Sequence, residues 1–237
     1  MRPPGLNSTL PVSARGHDLA ASVERLALRA AVQPFRALLA LLGINLALAG
    51  LFAAAGKLAG DEALFFRELA PGTWLSFAQL LFIAAIAAAI HRRGAARAWH
   101  QTFWGLCAGV FLLFAFDEIT QSTIFLSHAL EDGFGLTATQ GFHDLQAVLL
   151  TLGFAAAALV LLPRALVLRH HPVALGLFAV GALLGAASQS LDSFAQVSRT
   201  EFVAEETLKL AAEAFFVGGF LVALRNVLER RAARPPA

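Results

Sequence analysis

The chain is short of charge. Only 14% of its 237 residues are Asp, Glu, Lys or Arg, while 58% are hydrophobic and the mean hydropathy is +0.68. A water-soluble domain of this length rarely exposes so little charge, so that class is excluded. Cysteine is nearly absent too. Cys107 stands alone within an apolar stretch, which excludes an internal disulfide and a cysteine-based metal cluster. There is no tyrosine. Any aromatic belt at a membrane surface must therefore rest on Trp74, Trp99 and Trp104. The chain also lacks a Glu-x-x-His pair, a Ser or Cys nucleophile motif, a pair of histidines facing each other within apolar segments, and any internal repeat of about 20–50 residues. Those absences argue against a di-metal carboxylate bundle, nucleophilic catalysis, haem-b ligation and a solenoid.

What the chain has is long apolar runs. A membrane-spanning helix needs about 20 mostly apolar residues. Six stretches qualify, at roughly 35–56, 73–91, 102–127, 143–162, 172–194 and 203–225. Runs such as Ala147 to Leu162 lack the period-two alternation of barrel strands, so the expected class is all-α, a polytopic membrane helix bundle. Residues 1–17, with Pro3, Pro4 and Pro11, read as a tail. Leu19, Val23, Leu26 and Ala30 then fall at helical spacing, which predicts a short amphipathic helix on the membrane surface. The expected organisation is 1–34 tail and interfacial helix, 35–228 six-helix domain, 229–237 basic tail. The stretch before the first span is far longer than a signal-peptide n-region, so that span is expected to remain as an anchor.

The basic residues choose sides. Fourteen of the 18 Lys and Arg precede the first span, lie between spans two and three or four and five, or follow span six. Lys57, Arg67, Arg199 and Lys209 alone fall on the other side. The positive-inside rule puts both termini in the cytoplasm of a bacterial inner membrane. The basic ends read as topology signals and contacts with the lipid bilayer, not as a nucleic-acid surface.

Ionisable residues within spans are costly and usually face a bundle interior. Here they converge on the outer half. Spans two to six bring Ser76 and Gln79; Asp117, Glu118 and Gln121; His143, Asp144 and Gln146; Gln189 and Asp192; and Glu205, Glu206, Lys209 and Glu213. Glu206, Lys209 and Glu213 recur at i, i+3 and i+7, one face of a helix. Asp117, Glu118, Glu205, Glu206 and Glu213 are the candidate metal ligands, in a donor set suited to a divalent cation such as Mg, Mn, Ca or Fe. Gln79, Gln121, His143, Gln146, Gln189, Asp192 and Lys209 are the expected lining. Crowded carboxylates can equally act as acid and base, or simply lock helices together around Lys209. His91, His100, His170 and His171 read as interfacial.

Three short motifs carry a resemblance. Glu68 precedes Pro71-Gly72-Thr73-Trp74-Leu75-Ser76; Asp117-Glu118 ends span three; Glu205-Glu206 opens span six. The chain resembles a family of six-span bacterial inner-membrane proteins with Glu…Pro-Thr-Trp-x-Ser, Asp-Glu and Glu-Glu-x-x-Glu motifs. Here Gly72 is an addition, and Lys209 stands where the family has a third acid. The resemblance implies the same six-span fold, with Lys209 in place of an ion's charge. The leading expectation is a periplasm-facing acidic site that binds or moves a cation or small cationic molecule. The alternatives are an intramembrane, metal-dependent hydrolytic enzyme and a non-catalytic accessory subunit.

The orientation is testable. Cysteines introduced at Ala63 and Gly133 are expected to react with an impermeant thiol reagent in intact cells, whereas labelling at Ala96 would reverse the topology.

Overall fold

The computed structural model describes residues 12–61, 63–66, 70–93, 98–122, 167–194 and 199–233, with isolated positions at 126, 152–153, 155–156 and 161. Among them are six long helices and no strand: α1 (Val12–Val32), α2 (Pro34–Leu58), α3 (Pro71–Arg93), α4 (Ala98–Thr120), α5 (Pro172–Phe194) and α6 (Arg199–Ala232). Five of these, α2 to α6, are long and apolar enough to cross a membrane. The stretch expected to form a span at 143–162 lies outside the described residues, apart from five isolated positions.

Local chemistry sets the boundaries. Gln33 precedes a proline, which disfavours the helical region for it, and it adopts φ −133° and ψ 65°. α1 therefore stops and α2 restarts with Pro34 in its first turn, where a missing N–H costs nothing. α2 closes with Gly60 at φ 84°: Asp61 N–H donates to Gly56 O at 2.8 Å and Gly60 N–H to Lys57 O at 3.1 Å. That is a Schellman cap, which needs a left-handed residue that glycine adopts without strain. α4 ends differently. Gln121 takes φ 53°, which interrupts the helix after Thr120; Ser122 and Leu126 are again helical, and the residues from 123 to 125 lie outside the described ones.

α6 and α3 are the inner helices. About two thirds of the apolar window of α6 is buried and over half of that of α3, against roughly a fifth or less for α2, α4 and α5. α5 packs mainly on α6, α4 on α3, and α6 also meets α2 and α3. The outer helices turn Leu39, Leu46, Leu113, Phe116 and Leu183 outward, an apolar surface consistent with lipid contact. Two close approaches rest on missing Cβ atoms. A Cβ on Gly181 of α5 would lie 3.1 Å from Ala212 O, and one on Gly219 of α6 would run into the Phe178 ring.

Several expectations change on packing. Trp104 is not an interfacial belt residue: it is 4% exposed and packs edge-on against Phe103, Phe220 and His171. His171 is likewise buried, with Nδ1 3.0 Å from Asn226 Nδ2. α1 buries Ala27 and Ala31 and leaves Leu26 exposed, because Glu24 is held by Arg92 at 2.9 Å and Arg93 at 3.0 Å at the end of α3. Ala63 is buried beside Phe66, so a labelling site on that connection is better placed at the fully exposed Leu58.

Gly219→Ala is expected to lower thermal stability. Overpacking a tight site costs about 1–3 kcal/mol, more than the ~1 kcal/mol that alanine gains over glycine in a helix. Gly50→Ala, with no atom near the added methyl, is expected to be neutral or stabilising in the same melting assay.

Candidate functional site

The polar groups of the inner helices gather at the end of the bundle opposite α1. α4 reaches that end at its C-terminus, which presents Glu118. α6 passes through it with its N-terminal half, carrying Glu206, Lys209 and Glu213 one turn apart in succession. α3 begins there and supplies Ser76 and Gln79 one turn further in. The i, i+3, i+7 register on α6 explains why all three of its charged groups point the same way.

Lys209 joins two helices. Its Nζ donates to Glu118 Oε1 at 2.8 Å across to α4 and to Glu206 Oε1 at 3.2 Å along α6. Both carboxylates are mostly shielded, with side-chain exposures of 16% and 10%. The backbones of α4 and α6 stay apart; the long lysine and glutamate span the gap here, and Phe111 spans it further in through ring contacts to Phe216 and Phe220 at 5.5 Å.

Glu213 lies deeper and is 5% exposed. Ser76, fully buried on α3, donates its hydroxyl to Glu213 Oε1 at 2.5 Å, within the range of a charge-assisted O–H···O bond. The other oxygen, Oε2, has no hydrogen-bond partner, the sole buried side-chain polar atom so placed among the described residues. Buried polar atoms are nearly always partnered, so this one marks a place where a donor or a cation is wanted. Lys209, Glu118 and Glu206 all lie within electrostatic reach of it.

One turn further in comes a residue that the sequence reading passed over. Asn45 on α2 is 2% exposed and donates through Nδ2 to Gln79 Oε1 at 3.1 Å and to Leu210 O at 2.8 Å. Gln79 Nε2 returns a bond to Asn45 Oδ1 at 3.3 Å. A signal was present: Asn45 is the sole polar side chain between Arg36 and Lys57 in the first span. Below this clamp the core is apolar, with Ile83, Ile86, Ile90, Val217, Leu221 and Leu224 fully or almost fully buried. The polar column thus ends at an aliphatic and aromatic plug.

Asp117, Glu205 and Gln189 are half-buried. Glu205 contributes its backbone carbonyl, which accepts from Ser188 Oγ of α5 at 3.1 Å. Gln121 sits past the end of α4. His143, Gln146 and the side chain of Asp192 lie outside the described residues. No set of three or more His, Cys, Asp or Glu is disposed to hold a metal among the described residues. The Lys209 ammonium takes an oxygen from both Glu118 and Glu206, so a divalent ion would have to share those carboxylates with it.

No protein-family model, curated protein or solved structure matches the chain, so the resemblance drawn above rests on its short motifs alone.

The clamp is open to a double-mutant cycle. Asn45→Leu and Gln79→Leu are each expected to lower stability, since the first strips the Gln79 amide of its Asn45 bonds and the second leaves Asn45 Oδ1 without its donor. The double variant is expected to recover part of the loss, with a coupling of about 0.6–1.7 kcal/mol, the range for interhelical bonds in membrane proteins. Strict additivity in thermal melts would show that the two amides do not act as a pair.

Proposed function

We propose that the chain is a six-span inner-membrane protein with cytoplasmic termini, its fourth span at 143–162, whose carboxylate site binds or moves a cation or small cationic molecule. The observation that carries this is the charge balance around Lys209. Among the described residues Lys209 donates to Glu118 and Glu206, with Glu213 within electrostatic reach, and Glu213 keeps a buried oxygen without a donor. In an apolar bundle, uncompensated negative charge draws in a positive partner. In this reading Lys209 is a resident counter-ion that holds the site together between binding events. Glu213 is the acceptor left open for a second positive charge, with Ser76 fixing its orientation.

Metal binding and transport are parts of the proposal, and Lys209 is where they are tested. Lys209→Met leaves Glu118 and Glu206 without their cation and is expected to cost about 3–5 kcal/mol of stability. Lys209→Glu is expected to be worse still in the absence of metal. Addition of Mg, Mn or Fe is expected to stabilise both variants, and Lys209→Glu the more, in thermal melts of the protein in detergent. If both variants match the parent and no cation shifts any of them, Lys209 is a rim group reaching water. The polar layer would then be a lock between helices, and the accessory-subunit reading would stand in its place.

A further inference from the structure

We propose a second binding site, at the end of the bundle remote from the carboxylates: a seat for the headgroup of an anionic phospholipid in the elbow between α1 and α2. The elbow encloses an open hollow of about 480 Å³, lined by Arg29, Ala30, Val32, Gln33, Arg36 and Ala37. It exists because Pro34 breaks the helix and swings α2 away from α1.

Two features fit the hollow to an anion. Arg29 and Arg36 bring two guanidinium groups to it, and no carboxylate pairs with either among the described residues. Other arginines of this end are engaged: Arg92 and Arg93 hold Glu24, and Arg225 holds Glu229. In addition, Gln33 makes no side-chain cap on α2. Its Oε1 instead accepts from Arg36 Nη1 at 3.0 Å, which steadies that guanidinium at the hollow and leaves the positive end of the α2 dipole uncapped by a side chain. Guanidinium forks match phosphate oxygens two at a time.

A third feature distinguishes a lipid from a free phosphate. Val32, in the wall of the hollow, is 67% exposed, and Phe35 and Leu39, one turn apart on α2, are 52% and 69% exposed. α2 is one of the helices fit to cross a membrane, so these side chains stand where acyl chains run. A cationic hollow continuous with an apolar flank matches an amphiphilic anion, phosphate above and hydrocarbon below. The inference is independent of the carboxylate site, since no residue is shared.

The test uses the full chain in neutral detergent, with phosphatidylglycerol, phosphatidylcholine and inorganic phosphate as probes. Phosphatidylglycerol is expected to bind and raise the melting temperature; the other two are not. Arg29→Gln with Arg36→Gln is expected to weaken phosphatidylglycerol binding about 30-fold, the worth of two interfacial arginines. Arg25→Gln, on α1 outside the hollow, is expected to leave it unchanged. A photoactivatable phosphatidylglycerol on the unmutated chain is expected to cross-link within residues 29–39, which keeps the test decisive if the double variant fails to fold. Equal binding of inorganic phosphate would reduce the hollow to a free-anion site. Cross-links elsewhere, or an unchanged affinity in the folded double variant, would overturn the proposal.

Discussion

The ammonium of Lys209 lies between Glu118 and Glu206, on a helix that is otherwise largely Ala, Leu, Phe and Val from residue 208 to 224. A charge in such surroundings is tolerated only with its partners in place, and the partners come from two different helices. α6 can therefore occupy its central position only in the register that sets Lys209 opposite Glu118. Ser76 on Glu213 imposes the same register from α3, and Asn45 ties α2 to α3 through Gln79 and to α6 through the Leu210 carbonyl. An apolar helix pair can slide by a turn at little cost because leucines are interchangeable. A helix whose Lys209 and Glu213 each meet a polar partner on a different helix cannot.

That constraint divides the bundle into two halves with different chemistry. At one end the contacts are polar and directional. At the other they are rings: Trp104, Phe111, Phe178, Phe216 and Phe220 meet edge to face, tilted or stacked at 4.9–6.2 Å, and Gly219 gives Phe178 room. Packing of this kind supplies van der Waals cohesion, which is what membrane helices use where lipid removes the hydrophobic drive. The polar column is closed beneath Asn45 and Gln79 by that packed layer.

The fold was legible in the sequence wherever composition alone carried the signal. The long apolar runs beginning near 35, 73, 102, 172 and 203 correspond to α2 to α6 because a run of about 20 apolar residues has few other stable forms. Details that depend on neighbours were not legible. Trp104 and His171 have the composition of interfacial residues, yet α4, α5 and α6 close over them. Leu26 belongs to the apolar face of α1 by periodicity, yet the Glu24 contacts with Arg92 and Arg93 turn Ala27 and Ala31 inward instead. Gln121 shares a helical spacing with Asp117, but its own left-handed backbone interrupts the helix at that position.

By itself, the sequence determined the membrane class, the helical architecture and the clustering of charged residues at one end of the apolar segments. All of these follow from hydropathy and spacing, which are properties of one segment at a time. Only the tertiary structure decided which charges meet. That Lys209 reaches Glu118 rather than Glu213, that Ser76 serves Glu213 while its second oxygen stays bare, and that Asn45 closes the column all depend on the rotation and depth of each helix relative to its neighbours. No single helix encodes that geometry, because one turn of sliding or a fraction of a turn of rotation exchanges one partner for another while leaving the segment's own pattern unchanged.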